Sequence, residues 1–540
     1  MEPILLAFLT GFILAQAIRL AKNHNIPIET HHTALLYISA AFYWLNFLND
    51  WGYSTIGIAS FITLGAWVGD MPGWLLCAPV VPAKQEEECF RTAEVDECRE
   101  VVKSGTPAGE AKNAIPGLEA RARPNQRLKV AFGIDSCFTS SDERACKSFR
   151  DGVEKLLYVD EAEWINYGDA ARATARQALD VESDSTSLFS VVQLMTLKTM
   201  MKVLWPDQFF EHITNEQIST LAHEVNLQWL RSKEGSDNSD DPFWNFDKRT
   251  PLKDAVKTVF PDWDETDSKK NPCNLILPGY ETMWRVVLRC FVEVVARDHD
   301  QSTNWEKTLR AFSNIPTKQQ LKESFFEGDV PVTAAHIAKE ALRLYPPTRR
   351  IYREYHDAAG QKTNVSADIE AMQHDPVIWR DHPKLFLPDR WIDIAEGYDH
   401  GFMPFGAKPF NCPAKRWKNV PMPFGISMIA LLVGALIEAT QGKWTIHGNF
   451  PDKTHPLDTD REAAIVPMRS PSSTEQKNKD KPGKAKEQHH EQDSNLPPPD
   501  SLGPRKANDH VCNHYTTTAF YCLLEVPKNF EYKGWWIADD

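Results

Sequence analysis

The sequence predicts a mainly α-helical protein with small β-sheets, and three observations carry that expectation. Residues 141–158 place Ala145, Phe149, Val153 and Leu156 on one face at helical spacing, and residues 191–204 repeat the period until Pro206 closes the run. A longer apolar stretch within residues 271–297 continues through Val286, Val287, Phe291 and Val295. Strand-like composition is confined to short pieces near residues 350–355 and 444–448, so any sheet is small.

From the front, residues 3–18, 33–48 and 53–68 are uncharged runs rich in Leu, Ile, Ala and aromatics. Each is about 16 residues, slightly short of the roughly 20 that cross a hydrocarbon core. Each therefore reads as a membrane span or as a buried helix. Glu2 stands where a cleaved leader would carry basic residues, and Arg19 and Lys22 follow the first run, which puts the downstream chain on the cytosolic side whether one span or three form. Residues 1–70 are accordingly expected to be a membrane anchor of one to three hydrophobic segments, and residues 71–469 one large domain. Within it, residues 71–125 read as linker with a peripheral helix, and residues 232–241 and 262–270 as polar loops.

Residues 470–508 are a Pro, Lys, Glu, Gln and Ser tract that cannot bury enough apolar surface to offset its ordering entropy, so an unstructured insert is expected there. Residues 509–540 end the chain, with strand composition over 515–526 that suits docking back on the large domain. A net charge of −14 without a basic stripe argues against a nucleic-acid partner. The ten cysteines show no Cys-x-x-Cys pair and no zinc spacing, as in a reducing, cytosol-facing domain with free thiols.

One thiol stands out. Cys412 lies in the loop Phe405-Gly406-Ala407-Lys408-Pro409-Phe410-Asn411-Cys412-Pro413-Ala414, ahead of a long apolar run. Taken alone it is either a small buried hydrophobe or a sulfur offered to a metal. Upstream, Glu340 and Arg343 share one helix face before Pro346-Pro347, which alone is equally an ordinary surface ion pair, and Pro388-Asp389-Arg390-Trp391 follows. Gly279-Tyr280-Glu281-Thr282 adds an acid beside an alcohol in the apolar stretch.

In this order and spacing, these segments resemble the cytochrome P450 superfamily of haem-thiolate monooxygenases over roughly residues 125–470. Phe132-Gly133-Ile134 with Phe138-Thr139 is similar to its membrane-bound fungal branch in secondary-metabolite biosynthesis. The resemblance implies the cytochrome P450 fold preceded by N-terminal transmembrane helices. It implies haem (iron protoporphyrin IX) as cofactor, with Cys412 as iron ligand and Phe405 beside it, Glu281 and Thr282 as the catalytic acid–alcohol pair, and Glu340, Arg343 and Arg390 as a buried charge cluster. A glycine at Gly279 is expected to open a groove for dioxygen, with Pro278 deepening the distortion.

The loop departs from the family pattern. Lys408 and Ala414 stand where glycines are usual, and Phe410 replaces the basic residue that meets a haem propionate. Lys408 carries a cost if its φ is positive; Arg349 and Arg350 are expected to make up for Phe410. Trp164 with Arg172 is a further, loosely spaced candidate for propionate contact. Asn364-Val365-Ser366 fits a glycosylation acceptor that a cytosolic domain would not use.

The function so implied is insertion of one oxygen atom from O2 into a lipophilic small molecule. No Gly-x-Gly-x-x-Gly fingerprint occurs, so electrons would come from NADPH through a separate NADPH-cytochrome P450 reductase. The expected setting is membrane lipid of the endoplasmic reticulum, with the large domain facing the cytosol. The rivals are a non-oxygenating isomerase or dehydratase on the same fold, and a non-catalytic haem-binding membrane protein.

Overall fold

The computed structural model describes residues 89–469 except 181–184, 209, 211, 235–244, 249–250, 325–330, 395–400, 416–419, 443, 447–449 and 458–466. The anchor over 1–70, the insert over 470–508 and the segment 509–540 lie outside the described residues. No helix among the described residues is long and apolar enough to cross a membrane.

The described chain is mainly helical, with two three-stranded sheets. β1 (Cys89–Thr92) leads into helices α1 (Val95–Ser104), α2 (Gly117–Ala122), α3 (Gln126–Phe132), α4 (Glu143–Leu156) and α5 (Glu161–Leu179). β2 (Ser185–Ser187) precedes α6 (Leu188–Leu204), α7 (Asn215–Glu234) and α8 (Pro251–Val259). The apolar stretch breaks into α9 (Cys273–Ile276), a π-helical turn (Leu277–Glu281) and α10 (Met283–Ala296). Then come α11 (Ser302–Asn314), α12 (Lys318–Lys322), α13 (Ala334–Leu344), β3 (Arg350–His356), β4 (Lys362–Asp368), α14 (Ile369–Gln373), α15 (Pro376–Trp379), α16 (Phe424–Thr440), β5 (Thr445–Ile446) and β6 (Pro467–Arg469).

Local chemistry explains several boundaries. Asp142 caps α4 by accepting from the Ala145 N–H, Asp160 and Glu163 form a reciprocal capping box on α5, and Thr333 accepts from the His336 N–H to start α13. α13 stops at Leu344, two residues short of Pro346, as proline sterics require.

Residues 71–125 were expected to be linker with a peripheral helix, yet β1, α1 and α2 are ordered parts of the body. β1 pairs in parallel with β4, aligning Phe90 with Val365, and β4 pairs antiparallel with β3. The four-residue strand is too short to show an alternating pattern, and its partner lies far along the chain, so local sequence carried no signal. Asn364 is paired within β4, opposite Cys89 on one side and Glu354 on the other.

α16 forms the centre of the main core, because it is apolar on every side and such a helix must be surrounded. α5, α10, α11 and α13 surround it. At Gly434 a Cβ would stand 2.2 Å from the Leu309 carbonyl oxygen, so the α16 and α11 backbones meet directly there.

A buried polar network ties the end of α10 to residues 455–457. The Glu293 carboxylate accepts from Arg297 Nη1 at 2.7 Å, from His299 Nε2 at 2.8 Å and from the Tyr345 hydroxyl. That hydroxyl in turn accepts the Leu457 N–H at 3.0 Å, while Arg297 Nη2 donates to the His455 carbonyl at 2.6 Å. Burial, then the Glu293 charge, pushes the Tyr345 phenol well above its ordinary range, so it stays a donor. Tyr345→Phe should therefore cost about 1–3 kcal/mol by stranding the Leu457 N–H and taking one donor from the buried Glu293 carboxylate. A thermal melt should register that loss, whereas Tyr158→Phe, at a 56 % exposed position, should leave the melt unchanged.

Candidate functional site

A cavity of about 2350 Å³ opens inside the helical body, well beyond the roughly 300–1,000 Å³ of an ordinary small-molecule site. It has room for a large planar cofactor and a substrate together. Its walls include the 404–414 loop, the π turn of residues 277–281, Met200 and Leu204 of α6, the chain from Pro347 to Arg353, and Phe424 and Gly425 at the start of α16.

The thiol wall comes from the loop between α15 and α16. Gly406 has φ +67, and the Cys412 N–H donates to the Phe405 carbonyl at 2.8 Å, which folds the loop back on itself. Lys408 is not among the positive-φ residues, so the cost that a positive φ there would carry does not arise; the left-handed residue is Gly406, two places earlier. Phe405 lies against α16, where a Cβ on Gly425 would come within 2.7 Å of its ring.

Cys89, Cys137, Cys146 and Cys412 all line the cavity. Cys146 donates to the Cys137 and Ser140 carbonyls, and burial pushes the Cys137 thiol up to about 11. Burial also pushes the Cys412 thiol up, a rise that the nearby Ala414 backbone N–H partly opposes. A sulfur that receives a backbone N–H is suited to carry negative charge once a cation is beside it.

The helical wall is locally unwound. The proline at 278 has no N–H to give, and the chain answers with the π turn, a distortion often found at functional sites. Thr282 Oγ1 donates to the Pro278 carbonyl at 2.8 Å. Glu281 is buried; its Oε2 accepts from Trp284 Nε1 at 3.1 Å and its Oε1 lies 3.5 Å from Arg285 Nε. Arg285 Nη2 also donates to the Pro347 carbonyl at 2.5 Å. Gly279, expected to open a groove, lines the cavity but also meets α6, since a Cβ there would stand 3.0 Å from Leu204 Cδ1.

Arg349 and Arg350 line the cavity, but each is committed to a carboxylate: Arg349 Nε is 2.6 Å from Glu370 Oε2 and Arg350 Nε is 3.0 Å from Asp368 Oδ2. They are thus poor replacements for the missing base at Phe410. Two other arginines hold that place. The Arg121 guanidinium stacks on the Phe410 ring 4.5 Å from its centroid and the Arg353 guanidinium at 5.5 Å. Both are buried and line the cavity, and neither meets a carboxylate among the described residues. Arg353 donates to the Val102 and Tyr352 carbonyls; Arg121 donates to the Cys137 carbonyl and leaves its Nε without a partner. Burial and the neighbouring Arg121 charge pull the Arg353 guanidinium down to about 9. No single residue type flags this pair, which β3 and α2 bring together.

Trp164 and Arg172 belong elsewhere. Trp164 is a core residue 5.6 Å from the Phe424 ring, and Arg172 bonds Asp169 and the Ser313 carbonyl; neither lines the cavity. The loose spacing reflected core packing on one face of α5.

Outside the cavity, Glu340, Arg343 and Arg390 meet in one cluster. Glu340 Oε1 lies 2.7 Å from Arg343 Nη2 and 3.0 Å from Arg390 Nε and accepts the Leu387 N–H at 3.0 Å. Oε2 accepts from Arg343 Nε at 2.9 Å and from Trp391 Nε1 at 3.0 Å. Arg343 Nη1 donates to the Gln373 carbonyl at 2.8 Å, and the Gln373 Oε1 accepts the Met403 N–H at 3.0 Å just before the thiol loop. Gln373, unmarked in the sequence, links the cluster to that loop.

The haem implied by the resemblance can be tested against this chemistry. The residues fit it: a loop thiol with a backbone donor, a cavity of sufficient size, and two buried guanidiniums that lack anions and would take the propionates.

Although burial alone would raise it, Arg343, Arg390 and the Leu387 N–H hold the Glu340 carboxyl below its ordinary 4.5. A depressed folded value means stability that is present above about pH 4.5 and lost as pH falls through the folded value. Glu340→Ala should cost about 3–5 kcal/mol, since it strands two buried guanidiniums. Denaturant unfolding across pH should further show Glu340→Gln without the acid-labile part of the wild-type stability that this carboxyl contributes.

Comparisons with known proteins follow the same outline. Residues 327–417 match the family model described as Cytochrome P450. The rat protein named Cytochrome P450 4A10 is 29% identical over 120 residues, covering 21% of this chain and 23% of that protein. The Flavonoid-6-hydroxylase of Mentha piperita is 30% identical over 140 residues, covering 24% and 25% respectively. The chain thus matches about a quarter of the length of these curated relatives. Among solved structures, a 6-coordinated cytochrome P450 from Thermus thermophilus aligns over 71% of this chain and 92% of its own, at 13% identity and a TM-score of 0.45.

Proposed function

We propose, from the premise that this chain belongs to the cytochrome P450 superfamily through its matched 327–417 segment, that it is a haem-thiolate monooxygenase acting on a lipophilic small molecule. The observation that carries the reading is one cavity shared by the Cys412 loop and the unwound Pro278–Thr282 stretch. Cys412 Sγ would ligate the iron, and Arg121 and Arg353 would hold the propionates. When bound, a thiolate-ligated haem supplies dioxygen activation, in which two electrons and two protons allow one oxygen atom to enter the substrate and the other to leave as water.

The remaining work falls to side chains. Thr282, anchored on the Pro278 carbonyl, offers the hydroxyl through which a proton reaches the cavity. Trp284 and Arg285 fix the buried Glu281 carboxyl that replenishes it. Apolar walls from Met200, Leu204, Val286 and Ile429 keep water from both and receive an apolar substrate. The acid and alcohol on one cavity favour oxygenation over the isomerase and dehydratase rivals.

Electrons from NADPH through a separate reductase, a membrane setting with the large domain facing the cytosol, and a place in secondary metabolism complete the proposal. They are supported by the apolar runs within residues 1–70, the absence of a dinucleotide fingerprint and the likeness of residues 132–139 to fungal members.

The test is the carbon monoxide difference spectrum of the reduced full-length protein. The wild type should give a thiolate-type band and Cys412→Ser should not; an unchanged band in the variant would refute the assignment. Thr282→Val should keep the band while lowering product formed per NADPH, with a loss in rate on the order of 10²-fold.

A further inference from the structure

Phe410 occupies the position where the family carries a base, and the structure surrounds it with positive charge. Two guanidiniums, Arg121 at 4.5 Å and Arg353 at 5.5 Å from the ring centroid, stack on one phenyl group. Both arginines are more than nine-tenths buried, and their partners are backbone carbonyls and, for Arg121, the Cys146 sulfur at 3.7 Å. Like charges this close repel, and neither carries a carboxylate to hold it in place. An aromatic face attracts a guanidinium through its quadrupole, more strongly where water is excluded. The ring is itself held: the Phe410 N–H donates to the Ala407 carbonyl at 2.9 Å, Arg150 Nη1 donates to the adjacent Pro409 carbonyl at 3.0 Å, and Gly117 lies beneath, where a Cβ would sit 3.6 Å from the ring.

We propose that Phe410 is a positioning residue that holds Arg121 and Arg353 apart at the cavity wall, so that the pair receives the two haem propionates in place of the absent base. The inference rests on the haem reading above and adds to it how this chain compensates for its own departure from the family loop. The phenyl group makes no charge contact with the cofactor. It fixes where two charges that do so are kept, which an aliphatic residue of similar volume cannot do.

The experiment compares the dissociation of haem and of haem dimethyl ester, in which both propionates are blocked, from the full-length protein. Transfer to a haem-scavenging globin supplies the readout. Wild type should release the ester faster than haem. Phe410→Leu should release haem about tenfold faster while leaving release of the ester unchanged, the size expected from losing cation–π attraction worth one decade in an equilibrium constant. Phe410→Trp, which keeps an aromatic face, should restore slow release. In an Arg121→Gln/Arg353→Gln background, Phe410→Leu should add nothing. Equal acceleration of haem and ester in Phe410→Leu would mean that the ring only fills space, and no acceleration of either would mean that it does not matter; either result overturns the inference while the haem reading stands. A wild type that retains neither cofactor overturns both.

Discussion

The Glu340 carboxylate is the interaction on which the rest of the site depends. It is fully buried, and its two oxygens together take five donors: Arg343 Nε and Nη2, Arg390 Nε, the Trp391 indole and the Leu387 N–H. A buried charge with this many partners is secure, and with one removed it becomes a liability. The consequence is directional. Arg343, bonded to Glu340, also reaches the Gln373 and Pro383 carbonyls, and Gln373 in turn holds the Met403 N–H. From Met403 the chain of bonds runs through the Gly406 N–H to the thiol loop. The position of Cys412 is thus referred, through successive hydrogen bonds, to a helix more than sixty residues earlier in the chain.

The charge of the cavity wall is opposite in sign to that of the protein. The chain carries −14 overall, yet Arg121, Arg150, Arg285, Arg349, Arg350 and Arg353 all face the cavity, against Glu143 and Glu281. Net charge reports on solubility and says little about a local field. Three of these arginines are balanced by Glu281, Asp368 and Glu370, while Arg121 and Arg353 meet none of these carboxylates. Desolvated cations of this kind are costly unless an anionic group joins them, which gives the cavity a physical preference for a cofactor with carboxylates on its rim.

Much of the helical body could be read from the chain, for a consistent reason. α6 and α10 bury most of their residues and α4 half-buries its apolar face over four turns or so, and that periodicity is a local property. β1 could not be found, since four residues make no pattern and the pairing with β4 spans more than 270 positions. The apolar stretch, where Pro278 was expected to deepen a local distortion, is divided by a π turn, because Pro278 lacks the donor that continuous α-helical bonding needs. Likewise, which residue of the thiol loop takes a positive φ was open in the sequence, and it is Gly406, where that angle is accommodated without a side chain.

The site divides along the same line. Cys412, Glu340, Arg343, Arg390, Glu281 and Thr282 stand in ordered, closely spaced groups, so their residue types and separations were determined by the sequence alone. Arg121, Arg353 and Gln373 are ordinary polar residues in sequence. Their significance lies in which neighbours they lack or join, and that was decided by tertiary structure: α2 and β3 bring two guanidiniums to one phenyl ring, and α14 carries one amide between a charge cluster and a loop. Spacing along a chain encodes contacts within a turn or two of helix, whereas a buried charge and its missing partner are defined only after distant segments have come together.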